Sequence, residues 1–470
     1  MKFKSRLNLC TEIQKVVRIY VYLRIKSFEF VQSELVMERI ALQKLKAWKN
    51  KNDRKPLIIR GARQVGKTWL MKEFGRIEYL KTVYVNFESS KLLQSLFIEN
   101  FDIQRIITAL QIESGVQVEP ENTLIILDEI QEAKGAITSL KYFCENAPQY
   151  HVISAGSLLG VALHKEVSFP VGKVEFLDMY PLSFMEFLLA LNQKPLLDLL
   201  NSRDWSLIKT FKEKFIQYLR HYYYVGGMPE AVFSFREKND FQEVREIHKR
   251  ILLAYELDFS KHAPVEIVPR IRLLWSSTLT QLAKENRKFI YSAVKSGARS
   301  KDYELALSWL VDCGLVHKVC RVSKPGFPLK AYEDFNAFKL FVVDVGILAA
   351  MGNIDVKTLL DGNLIFGEFK GALTEQFVLQ QLVTINDLVI NYWSSEKSSA
   401  EVDFLIQYLS KVVPVEVKSE ENLQAKSLKV FFQKHSPEIS VRTSMSDFKK
   451  ENWLTNIPLY AISKITEELN

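Results

Sequence analysis

Cysteine is scarce. The four residues present, Cys10, Cys144, Cys313 and Cys320, form no CxxC pair, so neither a disulfide framework nor a zinc site is indicated. The seven histidines contain no HExxH and no cluster with cysteine. No stretch runs long enough without charge to cross a bilayer. The early segment "IQKVVRIYVYLRI" lacks the uninterrupted apolar region and small-residue cleavage site of a signal peptide. These absences make a reducing, cytoplasmic setting the default expectation, with no membrane partner.

What remains is a chain of 470 residues that is 47% hydrophobic, the composition of a folded protein with roughly two to four domains. Its net charge of +8 is unevenly spread, because residues 1–36 hold seven basic residues against three acidic ones. Met37 then begins "MERIALQKLKAWKNKNDRKPLIIRG", which reads as a self-sufficient start. Residues 1–36 are therefore expected to be a dispensable or mis-called basic extension.

The most specific signal is "KPLIIRGARQVGKTWLMKEFG". Leu57 to Ile59 read as a short buried strand, Gly61 to Thr68 fit GxxxxGK[ST] without mismatch, and "TWLMKEF" continues with helical character. Such a loop curls its backbone N–H groups around phosphates, glycines permit close approach, and the following helix adds a favourable dipole. The nucleotide-binding residues expected are Gly61, Ala62, Arg63, Gln64, Val65, Gly66, Lys67, Thr68 and Trp69. Lys67 would reach the β- and γ-phosphates of ATP, and the Thr68 hydroxyl would ligate Mg²⁺.

A P-loop needs a second acidic element. "NTLIILDEIQEA" supplies an apolar strand, Leu124 to Leu127, that ends in Asp128-Glu129. Asp128 can hold Mg²⁺ through its water shell, and Glu129 can polarise the attacking water as catalytic base. A further strand, "HVISAGS", ends in small polar residues, so Ser154 or Ser157 could sense the γ-phosphate; a plain strand-to-helix turn is the competing reading. "KTVYVNFES" adds another strand, and the alternation of strands and helices predicts a parallel sheet flanked by helices.

Five segments occur in order: "RGARQVGKTWLMKEFG", "LDEIQEAKGAITSLKYF", "SAGSLLG", "YPLSFMEFL" and "YVGGMPEAV". Together they resemble the prokaryotic AAA-type ATP-binding proteins that carry a C-terminal domain of unknown function, over about residues 37 to 450. The resemblance implies an α/β protein: a P-loop NTPase (AAA-like) parallel sheet over 37–185, a helical lid over 186–262, a winged-helix-like segment over 263–350, and a C-terminal restriction-endonuclease-like domain over 351–470. It also implies a homo-oligomer, since AAA-like cores often form rings. Many relatives have Gly-Arg before the "PLSF" element where this chain has Gly172-Lys173, and lysine lacks the planar fork of an arginine finger.

In the middle of the chain, Gly226-Gly227 and Pro229 mark a tight turn. The aromatic run Tyr222 to Tyr224 reads as packing rather than as a stack for nucleic-acid bases. From "ENRKFIYSAV" to "PLKAYE" the pattern is helix, turn, helix and β-ribbon, with Leu305, Trp309, Leu310 and Cys313 forming an apolar stripe. Arg299 and Lys301 would suit DNA, whereas Asp302 and Glu304 would repel phosphates; Lys318, Arg321, Lys324 and Lys330 make the ribbon the more basic part. DNA contact and a module that docks within the chain or on a protein partner both remain open.

Near the C-terminus, Glu375 falls within an apolar helical sector formed by Val378, Leu379 and Leu382, and a buried carboxylate needs a partner or a metal. Two strands follow in "EVDFLIQYLSKVVPVEVKSE". Strand alternation puts Glu416 and Lys418 on one face. Helix with Glu, strand with Asp, then strand with Glu-x-Lys is similar to the PD-(D/E)xK nuclease superfamily. By position, that resemblance implies Glu375, Asp403 and Glu416 as Mg²⁺ ligands and Lys418 as the residue that orients or activates water. The alternative is a structural cluster neutralised by pairing.

Overall fold

The computed structural model describes residues 38–98, 100–156, 169–284, 288–361, 367–395, 399–421 and 425–469, and its compact unit begins at Ile40. The expected basic extension, residues 1–36, and Ser157 lie outside the described residues.

Five short strands organise the first part of the chain: β1 (Leu57–Arg60), β2 (Lys81–Asn86), β3 (Thr123–Asp128), β4 (His151–Ala155) and β5 (Glu175–Asp178). They form one parallel sheet in the order β2-β3-β4-β1-β5. Every residue of β3 and β4 is buried, as a parallel sheet covered on both faces requires. The helices α1 (Ile40–Lys49), α2 (Lys67–Glu78), α3 (Ile103–Ser114) and α4 (Ala136–Asn146) accompany it. Val83, Ile125 and Leu127 pack with Ile106, Leu110, Ile137 and Phe143 in one core. Because β4 lies between β1 and β3, the loop leaving β1 and the acidic end of β3 are brought to the same edge from non-adjacent strands.

The segment expected as a lid is helical: α5 (Phe184–Ala190), α6 (Lys194–Ser202), α7 (Trp205–Thr210), α8 (Lys212–Val225), α9 (Pro229–Lys238) and α10 (Phe241–His262). "PLSFMEF" starts α5 with a reciprocal cap, in which Ser183 accepts from the Glu186 N–H and Glu186 accepts from the Ser183 N–H. Tyr222, Tyr223 and Tyr224 are buried, and Tyr222 meets Phe184, Phe187 and Phe377 edge to face. They are core packing. At Gly227 the backbone passes so close that a Cβ would lie 2.1 Å from the Leu182 carbonyl oxygen, which is why the α8–α9 turn is glycine-rich.

Helices α11 (Val268–Leu282), α12 (Tyr291–Val294) and α13 (Ser300–Asp312) precede an antiparallel ribbon, β6 (Val316–Val322) and β7 (Glu333–Val342). The buried stripe of α13 includes Tyr303, Ala306, Trp309 and Leu310, with Cys313 just beyond it. Leu305 is not part of it: this side chain is 71% exposed, because it lies on the same side as Trp309 but more than a quarter-turn around the helix from the centre of the buried face at Ala306 and Leu310.

The ribbon is not a free wing. It is the edge of an eight-stranded sheet ordered β12-β13-β11-β10-β9-β8-β6-β7, joined through a parallel β6–β8 pairing. The other strands are β8 (Val389–Ser394), β9 (Glu401–Tyr408), β10 (Lys411–Val417), β11 (Val441–Ser444), β12 (Lys449–Lys450) and β13 (Thr455–Pro458). The remaining helices are α14 (Val345–Met351), α15 (Val356–Asp361), α16 (Gly367–Leu382), α17 (Lys426–His435) and α18 (Ile465–Glu468). The sheet therefore crosses the boundary expected at residue 350.

A buried polar network ties the parts together. Asp344 caps α14 through the Ile347 N–H and also accepts from the Gly227 N–H (2.6 Å) and the Gln380 amide (2.8 Å). Gln381 accepts from the Phe184 N–H at 2.7 Å, and Gln376 bonds both the N–H and the carbonyl of Val342. The glutamines of "TEQFVLQQL" thus dock α16 simultaneously on the first domain and on β7. Buried polar groups satisfied in this way fix one arrangement of the elements.

Candidate functional site

The P-loop leaves β1 with the backbone of Gly61 at φ 143°, Gln64 at φ 67° and Gly66 at φ 93°. A Cβ at Gly61 would fall 2.1 Å from the Met179 carbonyl oxygen, so only glycine fits beside β5. Gly66 caps α2, and Lys67 and Thr68 are its first residues. Val65 and Ala62 are buried, which anchors the loop, while Trp69 is about one-third exposed on the first turn of α2.

Lys67 is buried and donates to the carbonyls of Gly61 (2.9 Å) and Ala62 (2.8 Å) inside its own loop. Burial pulls its ammonium down to about 8, against the opposing attraction of Glu129 and Asp128. The Thr68 hydroxyl donates to Asp128 at 2.7 Å, and the Tyr84 hydroxyl donates to the same carboxylate oxygen at 3.0 Å. Glu129 follows in a left-handed conformation (φ 49°), and the Gln131 amide donates to its carboxylate at 2.6 Å. A sparsely populated backbone conformation at such a position aims the side chain. A P-loop lysine, a hydroxyl beside a strand-end aspartate and an adjacent glutamate are thus gathered at one edge. The left-handed loop residues and the Thr68–Asp128 contact fit a magnesium–triphosphate group.

Helix α10 closes over the loop. Asp258 pairs with Arg63, the Tyr255 hydroxyl donates to the Arg63 carbonyl at 3.0 Å, and Lys261 pairs with Glu88 at 2.8 Å. Behind the loop, a cavity of about 510 Å³ is lined by Gly61, Ala62, Tyr180, Gly314 and His317. Arg63 therefore faces a carboxylate of the helical segment, a partner its place in the motif did not reveal. Ser154 is fully buried and donates to the Leu57 carbonyl at 3.3 Å within the sheet. Lys173 pairs with Glu145 at 2.9 Å near the start of β5, at the opposite end of that strand from the P-loop.

The C-terminal residues also come together. Glu375 from α16, Asp403 from β9, and Glu416 with Lys418 from β10 and its end all line one polar cleft of about 560 Å³, together with Glu401, Arg321 and Ser395. They do not form a ready-made metal cage. Among the described residues no three His, Cys, Asp or Glu side chains are grouped to hold an ion. Protein donors engage the carboxylates instead: Asp403 accepts the Val417 N–H at 2.7 Å, Lys418 pairs with Glu416 at 2.8 Å, and Lys339 lies 3.6 Å from Glu375 and 2.6 Å from Glu401.

Glu416 keeps one buried carboxylate oxygen, Oε2, without a hydrogen-bond partner among the described residues. Burial, then the neighbouring Asp403, push its carboxyl up to about 7, with Lys418 and Lys339 pulling the other way. That orphaned oxygen, on a cleft wall, fits a cation. Lys339 was not legible from the pattern, because the ribbon that carries it read as a separate wing. Tyr84, Tyr255 and Asp258 gave no motif signal either. Arg321 is held by Asp334 at 2.7 Å, Lys318 lies over the Phe338 ring and Lys324 over the Tyr332 ring, so three of the four basic ribbon residues are engaged within the chain. No helix among the described residues is long and apolar enough to cross a membrane.

Comparison with known proteins agrees with the first of these two sites. Residues 53–188 match a family described as an AAA domain; residues 216–358 and 370–462 match two domains of unknown function, DUF8612 and DUF4143. No curated protein is significantly similar in sequence. Among solved structures, the Walker-type ATPase PABY2304 of Pyrococcus abyssi is 14% identical, with a TM-score of 0.43 over 67% of this chain and 96% of that one. The Aeropyrum pernix ORC1 protein in complex with DNA is 12% identical, with a TM-score of 0.25 over 69% of this chain and 92% of that one. The stretch similar to an AAA domain, residues 53–188, contains the loop, Asp128 and Glu129.

Proposed function

We propose that the protein binds ATP with Mg²⁺ and hydrolyses it, and that nucleotide state is communicated to the C-terminal cleft. The observation that carries the first part is the Thr68 hydroxyl resting 2.7 Å from Asp128, with Lys67 inside the loop and Glu129 beside them. Bound MgATP would supply the scissile phosphoanhydride and the charge-neutralising ion. Thr68 and Asp128 would hold the ion, Lys67 would exchange its two carbonyl partners for phosphate oxygens, and Glu129 would accept the proton of the attacking water. Titrating full-length protein with MgATP tests the binding step: wild type binds and Lys67→Ala does not. Equal affinity in both would overturn the assignment.

Communication has a physical route in the buried network. Gly227, at the start of the segment that leads to α10, shares Asp344 with Gln380 of α16, and α16 carries Glu375 into the cleft. A shift of α10 on Arg63 would act on α16 through these shared groups.

For the cleft itself, a second reading is favoured by the Glu416 oxygen that has no hydrogen-bond partner among the described residues, in a cleft that Lys418 and Asp403 also line. It is a cation-dependent site for phosphodiester cleavage of a nucleic acid, in which Asp403 and Glu416 would hold the ion and Lys418 would orient water. Two carboxylates facing a phosphate need a divalent cation to offset their repulsion.

A further inference from the structure

We infer that Lys339 is a built-in cation of the C-terminal cleft, a positioning residue that restricts the cleft to a single divalent ion held at Asp403 and Glu416. The inference rests on the cleft reading above. It concerns a residue that lies outside the Glu375, Asp403, Glu416 and Lys418 set.

Lys339 projects from β7, is fully buried, and is flanked by the ring of Tyr392 with its Nζ 5.0 Å from the ring centre. Its ammonium stands between two carboxylates of the cleft wall, 3.6 Å from Glu375 and 2.6 Å from Glu401. A buried lysine in that position is unusual, since an ammonium leaves water only when opposite charge receives it.

The charges divide the cleft in two. On one side Glu375 and Glu401 share Lys339. On the other, among the described residues, Glu416 has Lys418 on one oxygen and no hydrogen-bond partner on the buried second, and Asp403 accepts a backbone N–H. Lys288 and Arg321 also line the cleft, Arg321 paired with Asp334, but at the Asp403 and Glu416 end Lys418 is the cation in direct contact, so with both carboxylates ionised that end has room for one divalent ion. A second ion, about 4 Å from the first as in two-metal sites, would take its ligands from Glu375 and Glu401. It would have to displace Lys339, which is walled in by Tyr392 and the sheet. The lysine thus holds Glu375 in place by charge while excluding a further ion.

The test is Mn²⁺ titration of the full chain without nucleotide, read by paramagnetic resonance of free Mn²⁺, with the cleft's share defined as binding lost in Glu416→Gln. Wild type is expected to hold one Mn²⁺ in the cleft. Lys339→Met removes one positive charge from beside two carboxylates, so the cleft should bind a second Mn²⁺ or bind the first at least about tenfold more tightly. Lys339→Met, Glu375→Gln together restore the charge balance; this variant guards against a misfolded single mutant and should return to one ion at wild-type affinity. If wild type holds one ion and neither variant changes number or affinity, the role of Lys339 is refuted while the cleft reading stands. If wild type holds two cleft ions, the single-ion inference is refuted. If it holds none, the cleft reading fails and the inference with it.

Discussion

Replacing Lys67 by methionine, a side chain of similar length without charge, separates what the P-loop needs for its own stability from what it needs for nucleotide. Lys67 is buried in the loop, and burial lowers its ammonium from the ordinary 10.5 to about 8. That displacement corresponds to about 3 kcal/mol of preference for the neutral amine. At pH 7 the folded protein therefore carries a buried charge that opposes folding, partly offset by hydrogen bonds to Gly61 and Ala62, each contributing about 1 kcal/mol.

The pH dependence has a definite sign. Between pH 8 and 10.5 the unfolded chain holds the proton and the folded one does not, so this group makes stability rise with pH, by about 1.4 kcal/mol per pH unit. Urea unfolding of wild type and Lys67→Met at pH 7.5 and 9.5 measures it. The variant should be as stable as wild type or about 1 kcal/mol more stable at pH 7.5. Wild type should then gain about 2 kcal/mol relative to the variant by pH 9.5. MgATP should stabilise wild type alone, by mass action. Parallel pH curves for the two proteins would refute the burial argument, whatever happens to nucleotide binding.

Two further outcomes follow. Gly227→Ala places a Cβ 2.1 Å from the Leu182 carbonyl oxygen and strains the N–H that Asp344 accepts. Thermal unfolding should show a loss of about 3 kcal/mol or more, and wild-type stability would contradict the close approach. If the cleft cleaves nucleic acid, incubation of single- and double-stranded DNA and RNA with Mg²⁺ or Mn²⁺ should give products with wild type that Asp403→Ala fails to give. Identical products from both would remove the cleavage reading.

The nucleotide-binding edge was legible because its chemistry is local in sequence. Eight consecutive positions from Gly61 to Thr68 determine the loop, and an apolar run ending in Asp128-Glu129 determines its partner. The order of the strands brings them together without further information. The strand alternation of Glu416 and Lys418 and the helical sector around Glu375 were legible for the same reason.

What escaped was long-range. Lys339 and Glu375 are brought together only because β6 and β7 join the C-terminal sheet through β8, and nothing in the ribbon's own alternation announces that pairing. Asp258 meets Arg63 across nearly two hundred residues, and a helix of mixed charge such as α10 offers many acidic residues of equal local merit. Leu305 was misplaced for a simpler reason. Its spacing suits a stripe with Trp309, but the buried face of α13 is centred on Ala306 and Leu310, about a third of a turn around the wheel from Leu305.

The most direct measurement of the central proposal is phosphate release from MgATP by the full chain and by Glu129→Gln, with nucleotide affinity determined on the same samples. Wild type should turn over, and Glu129→Gln should bind MgATP within a few-fold of wild type while losing about 10²-fold or more of the rate. Equal turnover in the two proteins would contradict Glu129 as the base, and absence of nucleotide binding by wild type would contradict the account as a whole.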